Sequence, residues 1–347
     1  MNAPAAAWDT FWFAPAAPWP LGLCRAGFLG SFYVLFLTRI DLRWYALFPP
    51  EFYQPRSFFA WLSLPISSWD VLNGLVTAFE ISVILAAVGL MTRLATLAAF
   101  ALGLYVVGLQ FNYGYLHWAH AIVPIVMGIL ALAPCGDALS LDALLRRVTK
   151  GKAADRGGQY RWPIQLVRLV FVTVFLAAGL AKLRQAGLEW VLSDTLGNYF
   201  LENQYVFRSE GARGWSHLLA DWLIVRPGWC RALAVGVLAL ELSAPAALFS
   251  RCARRWLIPL LFLFQVGNAL LLYQDFLFAY LGVYMFWISW GWESTRVSGS
   301  TVRSQVNFPR LLKHHLRDRV RVGASLPSII DRVLIPTSAS SPPYNAW

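Results

Sequence analysis

Residues 71–112, VLNGLVTAFEISVILAAVGLMTRLATLAAFALGLYVVGLQFN, decide the fold class. They hold two apolar runs of about 20 residues each, the length a helix needs to cross a hydrocarbon core of ~30 Å. The runs meet at Gly89 and Arg93, a tight turn, and Glu80 and Arg93 are the charged side chains among them. Working outward with the same criterion gives eight stretches, at about 21–40, 71–91, 94–112, 117–134, 163–184, 231–250, 256–273 and 276–292. Between them, Pro49, Pro50, Pro55 and Pro65 mark an extended first loop, and Pro134, Gly136 and Asp137 end the fourth stretch. The expected fold is therefore all-α: a polytopic membrane helix bundle of about eight transmembrane helices over residues 19–292. An N-terminal segment, 1–18, precedes it and a basic tail, 293–347, follows, with no large soluble domain.

The composition of the 347 residues agrees. Hydrophobic residues make up 58%, charged residues only 14%, and the mean hydropathy is +0.53. Soluble domains run to roughly half apolar and about a quarter charged. The 17 tryptophans suit a bilayer protein, whose interfaces favour them. Disordered, collagenous and small secreted chains are excluded. Four cysteines form no CxxC and no metal-ligand spacing, which speaks against thiol redox and structural zinc. The first 24 residues lack a basic segment ahead of an apolar one, so no cleaved signal peptide is expected.

Basic residues are retained in short cytoplasmic loops, so their placement sets orientation. Arg146, Arg147, Lys150, Lys152, Arg156 and Arg161 form one cluster, Arg251, Arg254 and Arg255 a second, and the tail a third; with Arg93, all fall on one side of an eight-span count. Both termini are expected in the cytoplasm, with 41–70, 113–116, 185–230 and 274–275 outside. The 185–230 segment, rich in aromatics and mixed charge, reads as an interfacial cap with short helices. The net charge of +11 is read as topology and lipid-headgroup contact, and no nucleic-acid partner is expected.

Ionisable groups at membrane depth are costly and mark function by default. With the third and fifth spans running outward and the fourth inward, Gln110, Asn112, His117, His120 and Lys182 gather in the outer third of the bilayer. A lysine there either snorkels to the headgroups or, desolvated, becomes a base near working pH with an imidazole beside it. Glu80 and Glu241 read as interhelical hydrogen-bond partners or as a proton relay, and Arg168 as a cytoplasmic-side snorkeller. His117 and His120, three apart, share a helical face, but further ligands are missing nearby, so no metal is expected and an interfacial or quinol-binding pair is preferred. GxGxxG, GxxxxGK[ST], GxSxG and HExxH are all absent from the sequence.

Ala178-Gly179-Leu180-Ala181-Lys182-Leu183, followed by Glu189-Trp190-Val191, resembles the segment that carries the catalytic lysine of the vitamin K-dependent gamma-glutamyl carboxylase family. His120, the apolar helix after it and Ser140-Leu141-Asp142-Ala143-Leu144-Leu145 resemble that family's active-site histidine, helix and following turn. Arg25 and Gly89-Leu90-Met91-Thr92-Arg93 resemble the HTTM domain, the family's membrane portion, also found in many bacterial proteins. The likeness covers about residues 19–290. It implies a reduced naphthoquinone deprotonated by Lys182, with His120 at a quinol oxygen and His117, Gln110 and Asn112 nearby. It also implies oxygen attack on the quinol and formation of a strong base that removes a glutamate proton before carbon dioxide adds. A bacterial inner (plasma) membrane is the implied location. The family's large lumenal substrate region has no counterpart here, so a peptide, a lipid or a partner protein is the expected substrate. Two further classes stand beside this one: a non-catalytic membrane subunit or maturation and export partner, and a proton-coupled small-solute transporter using Glu80 and Glu241.

Overall fold

The structure, a computed structural model, describes residues 3–114, 118–150, 157–209, 215–272 and 276–289. By contacts the chain divides into Met1–Ser294 and Thr295–Trp347. The second unit, and the tail expected at 293–347, lie outside the described residues, as does His117.

Among the described residues every regular element is helical. In chain order these are α1 (Ala3–Phe13), α2 (Pro18–Phe32), α3 (Phe58–Trp61), α4 (Trp69–Val88), α5 (Thr92–Val106), α6 (Ile122–Leu132), α7 (Leu141–Lys150) and α8 (Arg161–Ala186). They continue as α9 (Glu189–Leu192), α10 (Thr195–Ser209), α11 (Trp215–Ile224), α12 (Pro227–Ser243), α13 (Ala246–Phe249), α14 (Arg251–Leu271) and α15 (Phe276–Tyr284). Short 3₁₀ turns and one π turn, Tyr33–Leu37, join several of them. Pro18 opens α2 at a position where its missing N–H costs nothing. Gly89 closes α4 in the left-handed conformation, φ +80°, which a side chain would resist.

Among the described residues four helices are long and apolar enough to cross a membrane: Pro18–Leu37, Trp69–Val88, Thr92–Tyr113 and Arg161–Ala186. A fifth is added if His217–Ile224 and Pro227–Ser243, bent by 106° at Arg226, count as one. The eight stretches of the sequence resolve into these and shorter apolar pieces, for local reasons. The 117–134 stretch begins with a 3₁₀ turn, Trp118–Ala121, and turns extended at Ala133, leaving an 11-residue helix. The 256–273 stretch belongs to α14, whose first turns carry three arginines. The last stretch is helical only over Phe276–Trp287 among the described residues.

The main core lies between α2, α4, α5, α6, α8 and α15, where Phe28, Phe79, Val126, Phe171 and Val283 are fully buried. A smaller core of Trp190, Phe200, Leu223, Ala234 and Leu238 sits between α9, α10, α11 and α12, so the 185–230 segment has apolar packing of its own.

Three of the segments singled out in the sequence meet in one joint. Arg25 on α2, fully buried, donates to the carbonyls of Leu139 (2.7 Å), Cys135 (3.2 Å) and Ala87 (3.4 Å). A Cβ on Gly89 would stand 2.4 Å from Ser140 Cβ and 2.6 Å from Arg25 Nη1, so only glycine fits between them. Asp142 then caps α5 from outside: its carboxylate accepts from the N–H of Met91 (2.9 Å), the N–H of Thr92 (2.6 Å) and the Thr92 hydroxyl (2.7 Å). The first-turn donors of α5 are thus satisfied by a side chain 50 residues further on.

Partial burial opposes ionisation of Asp142, but the Thr92 and Met91 donors outweigh it and hold the carboxyl below its ordinary value. A lowered folded-state pKa gives stabilisation that is present above the unfolded value of about 3.9 and lost as pH falls through the folded value. Asp142→Ala is expected to cost about 1 kcal/mol at pH 7, the usual weight of a helix cap. Unfolding midpoints measured against pH should show the gap between wild type and variant constant from neutral pH downward, then closing below about 4.

Arg168 does not snorkel. It is fully buried, donates from Nε to the Phe286 carbonyl (2.7 Å) and from Nη1 to Gln165 Oε1 (3.1 Å), and lies 5.4 Å from the Trp287 ring. A guanidinium has enough donors to tie α8 to the 3₁₀ turn at Met285–Trp287, and backbone acceptors were available there.

Candidate functional site

The C-terminal half of α8 positions Lys182. Gly179, one turn earlier on the same face, removes the side chain that would hold α12 away: a Cβ there would come within 3.0 Å of Leu242 Cδ2 and 3.1 Å of Glu241 Cβ. The close approach sets Glu241 beside the amine. Lys182 Nζ donates to both carboxylate oxygens, at 2.6 and 2.7 Å. Glu241 is 3% exposed and Lys182 24%. Leu188 and Glu189 turn the chain so that Trp190, the first core residue of the cap, places its ring 5.2 Å from the ammonium. Carboxylate on one side and aromatic face on the other hold the amine in one place.

A second polar pair sits where α5 gives way to the 3₁₀ turn Leu109–Tyr113. Gln110, 2% exposed, presents Oε1 to His120 Nδ1 at 3.0 Å, and His120 is 1% exposed. The π turn at Tyr33–Leu37 brings Phe36 edge-on to the imidazole, ring centroids 4.7 Å apart. Gln110 Nε2 is buried and has no hydrogen-bond partner among the described residues. An orphaned donor of this kind costs free energy unless a ligand or water accepts from it.

Asn112 joins two segments of chain. Its side chain accepts from the Arg56 N–H (2.8 Å) and donates to the Gly108 carbonyl (3.2 Å), and its backbone carbonyl accepts from Gln54 (2.8 Å), tying the extended first loop to the end of α5. Glu80 accepts from Arg43 at 3.2 Å on each oxygen, an anchor for the same loop. The structure thus brings together Gln110 with His120, and Lys182 with Glu241. The two pairs stand on different helices, the first against the main core and the second against the cap core.

The pairing of Lys182 with Glu241 was not legible as such, because 59 residues separate them; the signal was that both are lone ionisable groups in apolar helices. A second buried glutamine–histidine pair, Gln204 Oε1 with His217 Nδ1, went unread because His217 lies in the mixed-charge cap. Among the described residues no three His, Cys, Asp or Glu side chains stand close enough together to hold a metal ion.

Chemically, the first pair can present an amide N–H and an imidazole to a ring oxygen. The second can hold a proton on either the amine or the carboxylate. Neither the family models nor the curated proteins nor the solved structures compared with the chain match it.

Proposed function

We propose that the chain is a membrane protein of about eight spans in a bacterial inner membrane, both termini cytoplasmic, that binds a reduced naphthoquinone and takes its proton at the Lys182–Glu241 pair. The observation that carries this reading is the pair itself, a buried carboxylate fully engaged with one amine under an aromatic ring. A reduced naphthoquinone, when bound, supplies acidic ring hydroxyls and an electron-rich ring. The chain's residues do the rest. Glu241 fixes the amine and shares its proton; an amine that has passed a proton to Glu241 has a lone pair with which to accept another. Trp190 lies against the amine and offers a flat apolar face. Gln110 fits the same ligand class, since its unspent N–H is the donor a quinol oxygen accepts, and His120 is held by Gln110 in a fixed orientation. A peptide, a lipid or a partner protein is the final substrate.

The test uses purified protein with reduced menadione and oxygen, following quinol oxidation by absorbance. Lys182→Met/Glu241→Gln, which keeps the helix contact without charge, is expected at background, and so is Lys182→Arg, because a guanidinium stays protonated. His120→Ala is expected to slow turnover by a factor equivalent to about 2–4 kcal/mol, the weight of one oriented polar contact at developing charge. Equal turnover in wild type and the double variant would overturn the reading.

One observation favours a second reading, a non-catalytic membrane subunit. Arg25, Gly89, Thr92 and Asp142, all within segments that carry the family likeness, are consumed in joining helices. On that reading Lys182–Glu241 fastens α8 to α12, and reduced menadione raises the unfolding temperature of no variant.

A further inference from the structure

We infer that α7 is a membrane-surface helix: it lies in the plane of the bilayer on the side where α5 begins, with Leu141, Leu144, Leu145 and Val148 sunk among the lipid acyl chains. The inference rests on the reading of α4 and α5 as membrane spans. Positions i, i+3, i+4 and i+7 of a helix share one stripe, about 100° wide. In α7 that stripe is bare, its four side chains 39–78% exposed.

The opposite side of α7 is the one that meets the protein, and it is polar. Asp142 accepts from the Met91 and Thr92 amides, and Arg146 donates to Asp137 Oδ1 (3.1 Å) and to the Gly136 carbonyl (2.6 Å). Between them Ala143, without bulk, is buried. A helix on a water-soluble protein buries its apolar stripe and turns its charges outward. In α7 the arrangement is reversed, so the medium that receives the stripe is apolar.

Height and continuity name lipid as that medium. The Asp142 N–H donates to the Gly89 carbonyl (3.0 Å) at the end of α4, while its carboxylate caps the start of α5. The first turn of α7 is therefore held at the junction of two spans, the level at which a bilayer surface falls. Met91 in that junction and Leu94 in the first turn of α5 are also exposed, so the spans give apolar surface to lipid at the same level. Arg147 and Thr149, both exposed, flank the stripe on either side, where polar tips reach headgroups. A protein partner fits less well: four partly exposed side chains on a helix about 15 Å long fall short of the ~800 Å² that each side of a stable complex buries.

The test places nitroxide labels on the full-length chain in vesicles of dioleoylphosphatidylcholine and dioleoylphosphatidylglycerol, and compares collision with oxygen, which enters lipid, against collision with a water-soluble nickel chelate. Cys252, the exposed cysteine, is first replaced by serine. Labels at Leu145→Cys and Val148→Cys are expected to meet oxygen and not nickel, at a depth of about 5–10 Å below the headgroups, whereas a label at Thr149→Cys is expected to meet nickel. Ile81→Cys, on the exposed face of α4 near its middle, is the control for the span itself. Nickel access at Leu145 and Val148 equal to that at Thr149, with Ile81 still shielded, would overturn the placement of α7 and leave the spans standing. Nickel access at Ile81 as well would overturn the membrane reading and this inference with it. Spin–spin broadening at Leu145 and Val148, removed by dilution with unlabelled chain, would identify a second copy of the chain on the stripe and overturn lipid as its occupant.

Discussion

A Lys182→Met chain is expected to lose about 3 kcal/mol of stability, most of it from Glu241. The carboxylate is 3% exposed and spends both oxygens on the amine. Removing the amine leaves a buried anion among the apolar side chains of α8 and α12. The range for breaking one partner out of a buried pair is about 3–5 kcal/mol, and the low end applies here because Lys182 keeps 24% of its surface exposed. Replacing both partners by neutral groups removes the uncompensated charge, so Lys182→Met/Glu241→Gln should recover most of the loss. The difference between the double variant and the sum of the singles is the coupling energy, and denaturant titration in mixed micelles measures it. Additive losses would mean that the two side chains do not act as one unit. This measurement is independent of turnover, so it separates the integrity of the pair from its chemistry.

The all-helical class and several helix positions could be read from apolar length alone, because a run such as 71–91 can be little else; Trp69–Val88 occupies it. Runs with less to spare were not legible. At 117–134 the residues are apolar enough, but the chain spends its first turn as a 3₁₀ element that brings His120 under Gln110 and Phe36, leaving an 11-residue helix. Hydropathy counts residues and cannot see that diversion.

Depth assignment found the polar residues but not their partners. Lys182 and Glu241 each stood out as ionisable groups in apolar helices, yet only the contact between α8 and α12, opened by Gly179, makes them a pair. Arg168 shows the converse failure. A long basic side chain near a helix end defaults to snorkelling, and what overrides the default is a backbone carbonyl, Phe286, whose position no sequence pattern encodes.

Arg25→Leu is expected to be the more damaging substitution, costing about 4 kcal/mol or preventing folding, because three carbonyls lose their donor at once. Those of Cys135 and Leu139 lie in the turn before α7, and that of Ala87 in the last turn of α4. The guanidinium thereby ties three separate pieces of chain, α2 included, at a point with no access to water, since Arg25 is 0% exposed. Arg25→Lys should recover only part of the loss. An ammonium has donors enough but no planar fork, and it cannot reach separated carbonyls from one position. The damage should also spread along the chain. Asp142 is carried by the segment that Arg25 holds, and its carboxylate caps α5. Hydrogen exchange at the start of α5, across Thr92–Ala95, is therefore expected to speed up in Arg25→Lys even though Arg25 touches none of those amides. Unchanged protection there would mean that Asp142 caps α5 without help from Arg25, and the joint would have to be treated as two independent contacts.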